Sequence, residues 1–195
     1  MNKAKRQDII FLGDGMVGKT TILQRFDTRQ FQKDHIMTVG VDFVRHQHKT
    51  KDGAHTLDVK IWDTAGQDQY KTLTYQYYKQ ADAVIIVFDL TSVASFKSVT
   101  PWLQSLYKHK AEGIPKILCG NKSDLLSVSE NHVTDEMAQR LANEHKMKYF
   151  KTSAFKDENI TELIETAIEI VYEEKNKPLL EKATQQRDET VTLGR

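Results

Sequence analysis

The sequence has little of what would mark a special environment. One cysteine, Cys119, in 195 residues excludes a disulfide within the chain and gives no sign of an oxidising compartment. Because that cysteine lies far from the C-terminal end of the sequence, no prenyl group is expected there. Net charge is also lacking. The 28 Lys and Arg nearly cancel the 27 Asp and Glu, leaving +1 with neutral histidine. Nucleic acid is therefore not expected as a main partner, since such binders usually present a basic field. No apolar run approaches the roughly 18 residues that a membrane helix needs. The basic start, Met1-Asn2-Lys3-Ala4-Lys5-Arg6, leads into no long apolar core before Asp14, so no signal peptide is expected. What is present is a hydrophobic share of 39%, modest but enough for one core at this length.

Along the chain, short β-rich runs alternate with amphipathic helical stretches. Strands are expected at Asp8 to Leu12, Val41 to Thr50, Thr56 to Trp62, Ala83 to Leu90, Lys116 to Gly120 and Met147 to Lys151. Lys51-Asp52-Gly53 separates the second and third and reads as a hairpin turn. Helices are expected from Gly18 to about Asp27, Ser95 to Lys110, Thr134 to Lys146 and Asn159 to Glu174. Pro101 predicts a kink or late start in the second of these. The pattern implies an α/β fold: a mostly parallel, six-stranded sheet with helices on both faces. The apolar period fails from about Lys175, so residues 1–175 are expected as one domain and 176–195 as a flexible tail.

Gly13-Asp14-Gly15-Met16-Val17-Gly18-Lys19-Thr20 matches G-x-x-x-x-G-K-[ST] between an expected strand and an expected helix. Glycines let several backbone N–H groups point at one phosphate, and the helix N-terminus adds partial positive charge. Gly15, Met16, Val17, Gly18, Lys19, Thr20 and Thr21 are the candidate nucleotide-binding stretch. Lys19 can reach the β- and γ-phosphates, and the Thr20 hydroxyl can ligate Mg²⁺. The bland alternative is a glycine turn with an incidental lysine.

Asn121-Lys122-Ser123-Asp124 follows the strand that begins at Lys116, at the sheet edge where such folds bind ligands. The Asp124 carboxylate can accept from guanine N1–H and the 2-amino group, a pair that adenine lacks. Asn121 and Lys122 complete this candidate base site.

With these motifs the chain resembles the Ras-like small GTPases, and within them the Rab family, from about Ile9 to Glu174. The similarity is carried by GDGMVGKT from Gly13, VGVDF from Val39, WDTAGQ from Trp62, YYKQAD from Tyr77, IVFDLT from Ile86, NKSD from Asn121 and TSA from Thr152. The second, fourth and fifth are the Rab-like ones. The resemblance implies a P-loop G domain that binds GTP or GDP with Mg²⁺ and hydrolyses GTP slowly. It implies Thr38 as a Mg²⁺ ligand that also senses the γ-phosphate, Asp63 as a holder of Mg²⁺ through water, and Gly66 as a γ-phosphate contact. Gln67 would orient the attacking water, Phe31 would pack on guanine, and Ser153 and Ala154 would meet the base oxygen. Taken singly, Thr38 also fits a strand entry, Asp63 a turn and Phe31 a helix-end core residue. No arginine finger in cis is evident, so a GTPase-activating protein is expected along with an exchange factor. Effectors would read Phe43, Trp62, Tyr70, Leu73 and Tyr77.

Several positions depart from the family pattern. Val39 replaces isoleucine, His35 stands where a tyrosine often closes over the nucleotide, Phe155 where lysine is common, and Met16 adds bulk to the phosphate loop. From Glu173 onward, five acidic and five basic residues cancel, so no polybasic segment is present, and Met1-Asn2 lacks the glycine that myristoylation needs. The expectation is a cytoplasmic switch in vesicle traffic, peripheral to intracellular membranes through partners if at all. Alternatives are a truncated chain, a non-prenylated scaffold subunit of a larger complex, or a P-loop kinase or ATPase.

Overall fold

The first apolar run forms β1 (Arg6–Leu12), in which every residue after Arg6 is buried. A strand buried on both faces belongs inside a parallel sheet. The computed structural model of the chain describes residues 6–31, 38, 40–66, 76–109 and 113–192, with side chains described as far as Asn176. The other strands are β2 (Val41–Lys49), β3 (Thr56–Thr64), β4 (Ala83–Asp89), β5 (Lys116–Asn121) and β6 (Lys148–Lys151). Their order in the sheet is β2-β3-β1-β4-β5-β6. Among these strands the β2–β3 pair alone is antiparallel, in register from Val41 opposite Thr64 to Lys49 opposite Thr56. The hairpin tip closes with Gly53 at φ 69° and its N–H donating to the Thr50 carbonyl at 2.8 Å.

Helices cover both faces: α1 (Lys19–Thr28), α2 (Val93–Lys97), α3 (Val99–His109), α4 (Asp135–Glu144) and α5 (Ile160–Thr192). The period-2 alternation of β1 splits the core in two. Ile9 and Phe11 join Ile22, Phe26, Ile164 and Ile168 beneath α1 and α5. Ile10 and Leu12 join Trp102, Leu103, Leu106 and Ala138 beneath α3 and α4. Among the described residues no helix is long and apolar enough to cross a membrane.

The structure departs from the sequence expectation at several points. The helix expected from Ser95 is broken at Ser98, and Pro101 falls in the first turn of α3, where a missing N–H removes no helical bond. β3 runs on to Thr64, because Asp63 and Thr64 pair with Asp42 and Val41 although both are polar. Asp124, for which no element was expected, lies in a 3₁₀ turn (Ser123–Val128). The α5 backbone continues helical past Glu174 to Thr192, and the Glu-, Lys- and Gln-rich composition there favours helix without an apolar face.

The parallel strands leave their carboxyl ends on one edge. Gly13 follows β1, Asp63 lies near the end of β3, Asn121 ends β5, and Thr152 follows β6. That edge carries the site.

Candidate functional site

The turn from β1 into α1 is shaped by close backbone approach. A Cβ on Gly13, at φ 138°, would collide with the Val87 carbonyl. Met16 accepts φ 66° without being glycine, which costs on the order of 1 kcal/mol, and its side chain stays 58% exposed. α1 starts with no side-chain cap, so its first N–H groups are left for a ligand. Lys19 is buried and folds back over the loop, donating to the carbonyls of Gly13 at 2.8 Å and Asp14 at 2.7 Å. Burial pulls its ammonium down from the ordinary lysine value to about 8, against the pull of Asp63 and Asp14. Trp102 of α3 donates from Nε1 to Asp14 Oδ1 at 2.8 Å and steadies the loop from outside.

Three hydroxyl and carboxyl groups from separate segments meet beside Lys19. Thr20 Oγ1 lies 2.6 Å from Asp63 Oδ2 and 2.7 Å from Thr38 Oγ1, and Thr38 Oγ1 is 3.3 Å from Asp63 Oδ2. Burial raises the Asp63 carboxyl above its usual range, while the Thr20 hydroxyl, Lys19 and the Thr38 hydroxyl work against it. Its Oδ1 is buried with no hydrogen-bond partner among the described residues. A buried carboxylate oxygen without a partner is costly, and the all-oxygen donor set suits a hard divalent cation such as Mg²⁺. Gly66 approaches the loop so closely that a Cβ would meet the Asp14 carbonyl and the Gly15 nitrogen. The start of α1, the end of β3 and the segments at Thr38 and Gly66 thus bring Lys19, Thr20, Thr38, Asp63 and Gly66 together. Gln67 lies outside the described residues.

Next to this cluster is a cavity of about 490 Å³ lined by Met16, Gly18, Thr21, Phe31, Asn121, Lys122, Asp124, Leu125, Ala154 and Phe155. Asn121 is buried and ties three segments: Nδ2 donates to Val17 O at 3.0 Å, and Oδ1 accepts from Ala154 N–H at 3.2 Å and the Thr152 hydroxyl at 3.3 Å. It therefore holds the walls together. Asp124 Oδ1 accepts the Ser153 hydroxyl at 2.5 Å. Lys122 sits at φ 67° with Nζ 2.7 Å from Asp89 Oδ2, which lays its stem along the cavity wall. Phe31 stands at the rim, 37% exposed. Sequence reasoning missed Leu125 and Trp102. An apolar residue directly after Asp124 was a usable signal for the first, whereas nothing local pointed to the second.

On the outer face of the β2–β3 hairpin, Phe43, Trp62 and Tyr77 pack in a row, with ring centroids 5.3 and 4.7 Å apart. Only Phe43 is well exposed, at 40%. Trp62 was expected at the surface but is buried, its Nε1 donating to Asp8 Oδ1 at 3.0 Å, so it forms the floor of this patch. Lys60 Nζ stands 3.5 Å from the Phe43 ring centroid and 3.6 Å from that of Trp62. Tyr70, Leu73, His35 and Val39 lie outside the described residues.

Comparison with known proteins identifies the family. A sequence model of the Ras family matches residues 8–173. Ras-related protein Rab-15 from Mus musculus is 38% identical over 181 residues, covering 90% of this chain and 83% of the relative. Rab-15 from Homo sapiens shares the same identity over 180 residues, and Ras-related protein Rab-13 from Bos taurus is 36% identical over 155 residues, covering 79% and 74% of the two chains. The chain belongs to the Ras family and is a Rab-like small GTPase, an enzyme that binds and hydrolyses GTP and acts as a GTP-dependent switch.

Proposed function

We propose that this chain controls membrane traffic by exposing an effector surface only while GTP is bound, and that named residues carry each part of the cycle. The convergence of Thr20, Thr38 and Asp63 around an unpartnered buried carboxylate oxygen is the observation that supports it most. Thr20, Thr38 and Asp63 would hold Mg²⁺, whose chemistry is to neutralise charge on the β- and γ-phosphoryl oxygens. Backbone N–H groups of residues 15–21 and the Lys19 ammonium bind and orient the phosphates. Lys19 is buried, so its charge acts on them at low dielectric. Asp124 and the loop at Ser153 and Ala154 read the base, with Lys122 and Phe31 packing on it. Gln67 orients the attacking water.

Thr38 and Gly66 connect chemistry to signalling. Both belong to segments that a γ-phosphate would hold and its loss would release. Turnover is slow until an activating protein supplies further charge stabilisation at the phosphates. An exchange factor then replaces GDP with GTP. Effectors dock on Phe43 and Tyr77 above the Trp62 floor, with Tyr70 and Leu73 adding to the surface. Residues 1–175 form the switch, and 176–195 are a tail beyond it. The protein works in the cytoplasm and reaches membranes through its partners.

The test is amide hydrogen exchange of the full chain loaded with GDP or with a non-hydrolysable GTP analogue. Protection of the segments around Thr38 and Gly66 by the analogue alone is expected. Equal exchange in the two states overturns the switch and leaves a nucleotide-stabilised scaffold.

A further inference from the structure

Among the described residues, six large apolar side chains are exposed, and four of them, Met16, Phe31, Leu125 and Phe155, line the base cavity. Apolar surface gathered at a pocket mouth is where a ligand gains most by covering it. Two of these rings touch. Phe31 and Phe155 meet edge to face, centroids 5.2 Å apart with planes at 86°, although they lie far apart in the chain. Each is rooted in a separate segment, and one side chain ties the two together.

Arg25 of α1 does so from below. Its Nε donates to Ala154 O at 2.9 Å and Nη2 to Phe155 O at 3.0 Å. Its third nitrogen, Nη1, donates to Arg29 O at 2.9 Å just past the end of α1, and the guanidinium carbon lies 5.6 Å from the Phe31 ring centroid. One planar fork thus grips the base loop, the exit of α1 and the first ring at once. A lysine could not, having a point charge and no fixed fork.

We propose that Arg25 is a positioning residue for a two-ring latch, Phe31 against Phe155, which must part before a guanine nucleotide leaves. The latch rests on guanine nucleotide filling this cavity. It acts at the base end, because Lys19, Thr20 and Asp63 do not line the cavity. It therefore sets nucleotide residence time and leaves the hydrolytic step untouched.

The experiment follows release of N-methylanthraniloyl-GDP from the full chain into excess unlabelled GDP, with Mg²⁺ and again with a chelator. Phe155→Ala should speed release about three- to tenfold, the worth of an aromatic pair. Arg25→Lys should speed it about tenfold by losing the fork while keeping charge and stem. The double variant should match the faster single one, because both act on one device. The ratios to wild type should persist in chelator, and single-turnover hydrolysis of prebound GTP should stay at the wild-type rate. Wild-type release from both single variants, multiplying effects in the double, ratios that vanish in chelator, or slowed hydrolysis each overturn the latch. Failure of the wild type to take up labelled GDP overturns the guanine reading and the latch with it. Phe155 is 59% exposed, so its truncation leaves the core intact and keeps the test decisive.

Discussion

Thr20 Oγ1 and Asp63 Oδ2 lie 2.6 Å apart although 43 residues separate them, and Thr38 Oγ1 closes the group at 2.7 Å from Thr20. The first turn of α1 and the end of β3 are thereby tied beside the phosphate loop. Asp63 Oδ1 is buried and has no partner among the described residues. Thr20→Ala is expected to weaken Mg²⁺ binding at least about tenfold, as loss of a ligand-orienting contact does. Titrating Mg²⁺ against the rate of GDP release checks this. An unchanged midpoint would remove Thr20 from the metal site.

Gln67 adjoins Gly66, whose backbone lies against Asp14 and Gly15. Gln67→Leu keeps the side-chain bulk and removes the group that orients water. Single-turnover GTP hydrolysis should fall about 100-fold with GTP affinity little changed. Hydrolysis at the wild-type rate would show that another group positions the water.

Asp124→Asn replaces an acceptor by a group that offers guanine N1–H and its amino group a poorer match. GTP affinity should drop about 100-fold or more while xanthosine triphosphate gains. Competition between the two nucleotides for the variant measures the exchange in preference. Because Asp124 also accepts the Ser153 hydroxyl, thermal melting of the variant should accompany it.

Burial sets a pH signature at Lys19. Its folded-state value of about 8 lies below the unfolded lysine value, so between the two the unfolded chain holds more protons. Stability of the nucleotide-stripped protein should therefore rise with pH through that window, relative to Lys19→Met. Phosphate binding needs the charged ammonium, so GDP affinity should fall above about pH 8 and binding should take up a proton. Calorimetry in two buffers of different ionisation enthalpy reads that proton. A variant and wild type with parallel pH profiles would contradict the assignment.

The sheet and the phosphate loop were legible because their signals are local. β1 and β4 carry uninterrupted apolar runs, Ile9 to Leu12 and Ala83 to Phe88, and the loop's fixed positions fall within one short stretch, although Gly13 and Gly18 are also held to glycine by Val87 and Asn121 far along the chain. What escaped depends on distant partners. Trp62 reads as a surface aromatic until Asp8, 54 residues away, captures its indole N–H. β3 reads as ending at Trp62 because Asp63 and Thr64 are polar, yet pairing with β2 and the Thr64 hydroxyl bond to the Phe11 carbonyl at 2.7 Å bury both. The break at Ser98 follows Ser92 capping the short α2, its hydroxyl accepting the Ser95 N–H at 3.2 Å. Phe155 stood out as a departure from the family pattern, but its ring partner Phe31 became visible only in three dimensions.

The most direct test of a guanine-specific switch is displacement of fluorescent GDP from the full chain, with Mg²⁺ present, by unlabelled GTP or ATP. Displacement by near-equimolar GTP, and none by ATP in about 1,000-fold excess, is the predicted result, a gap of about 4 kcal/mol. Equal displacement by the two nucleotides would contradict the roles given to Asp124 and the base cavity.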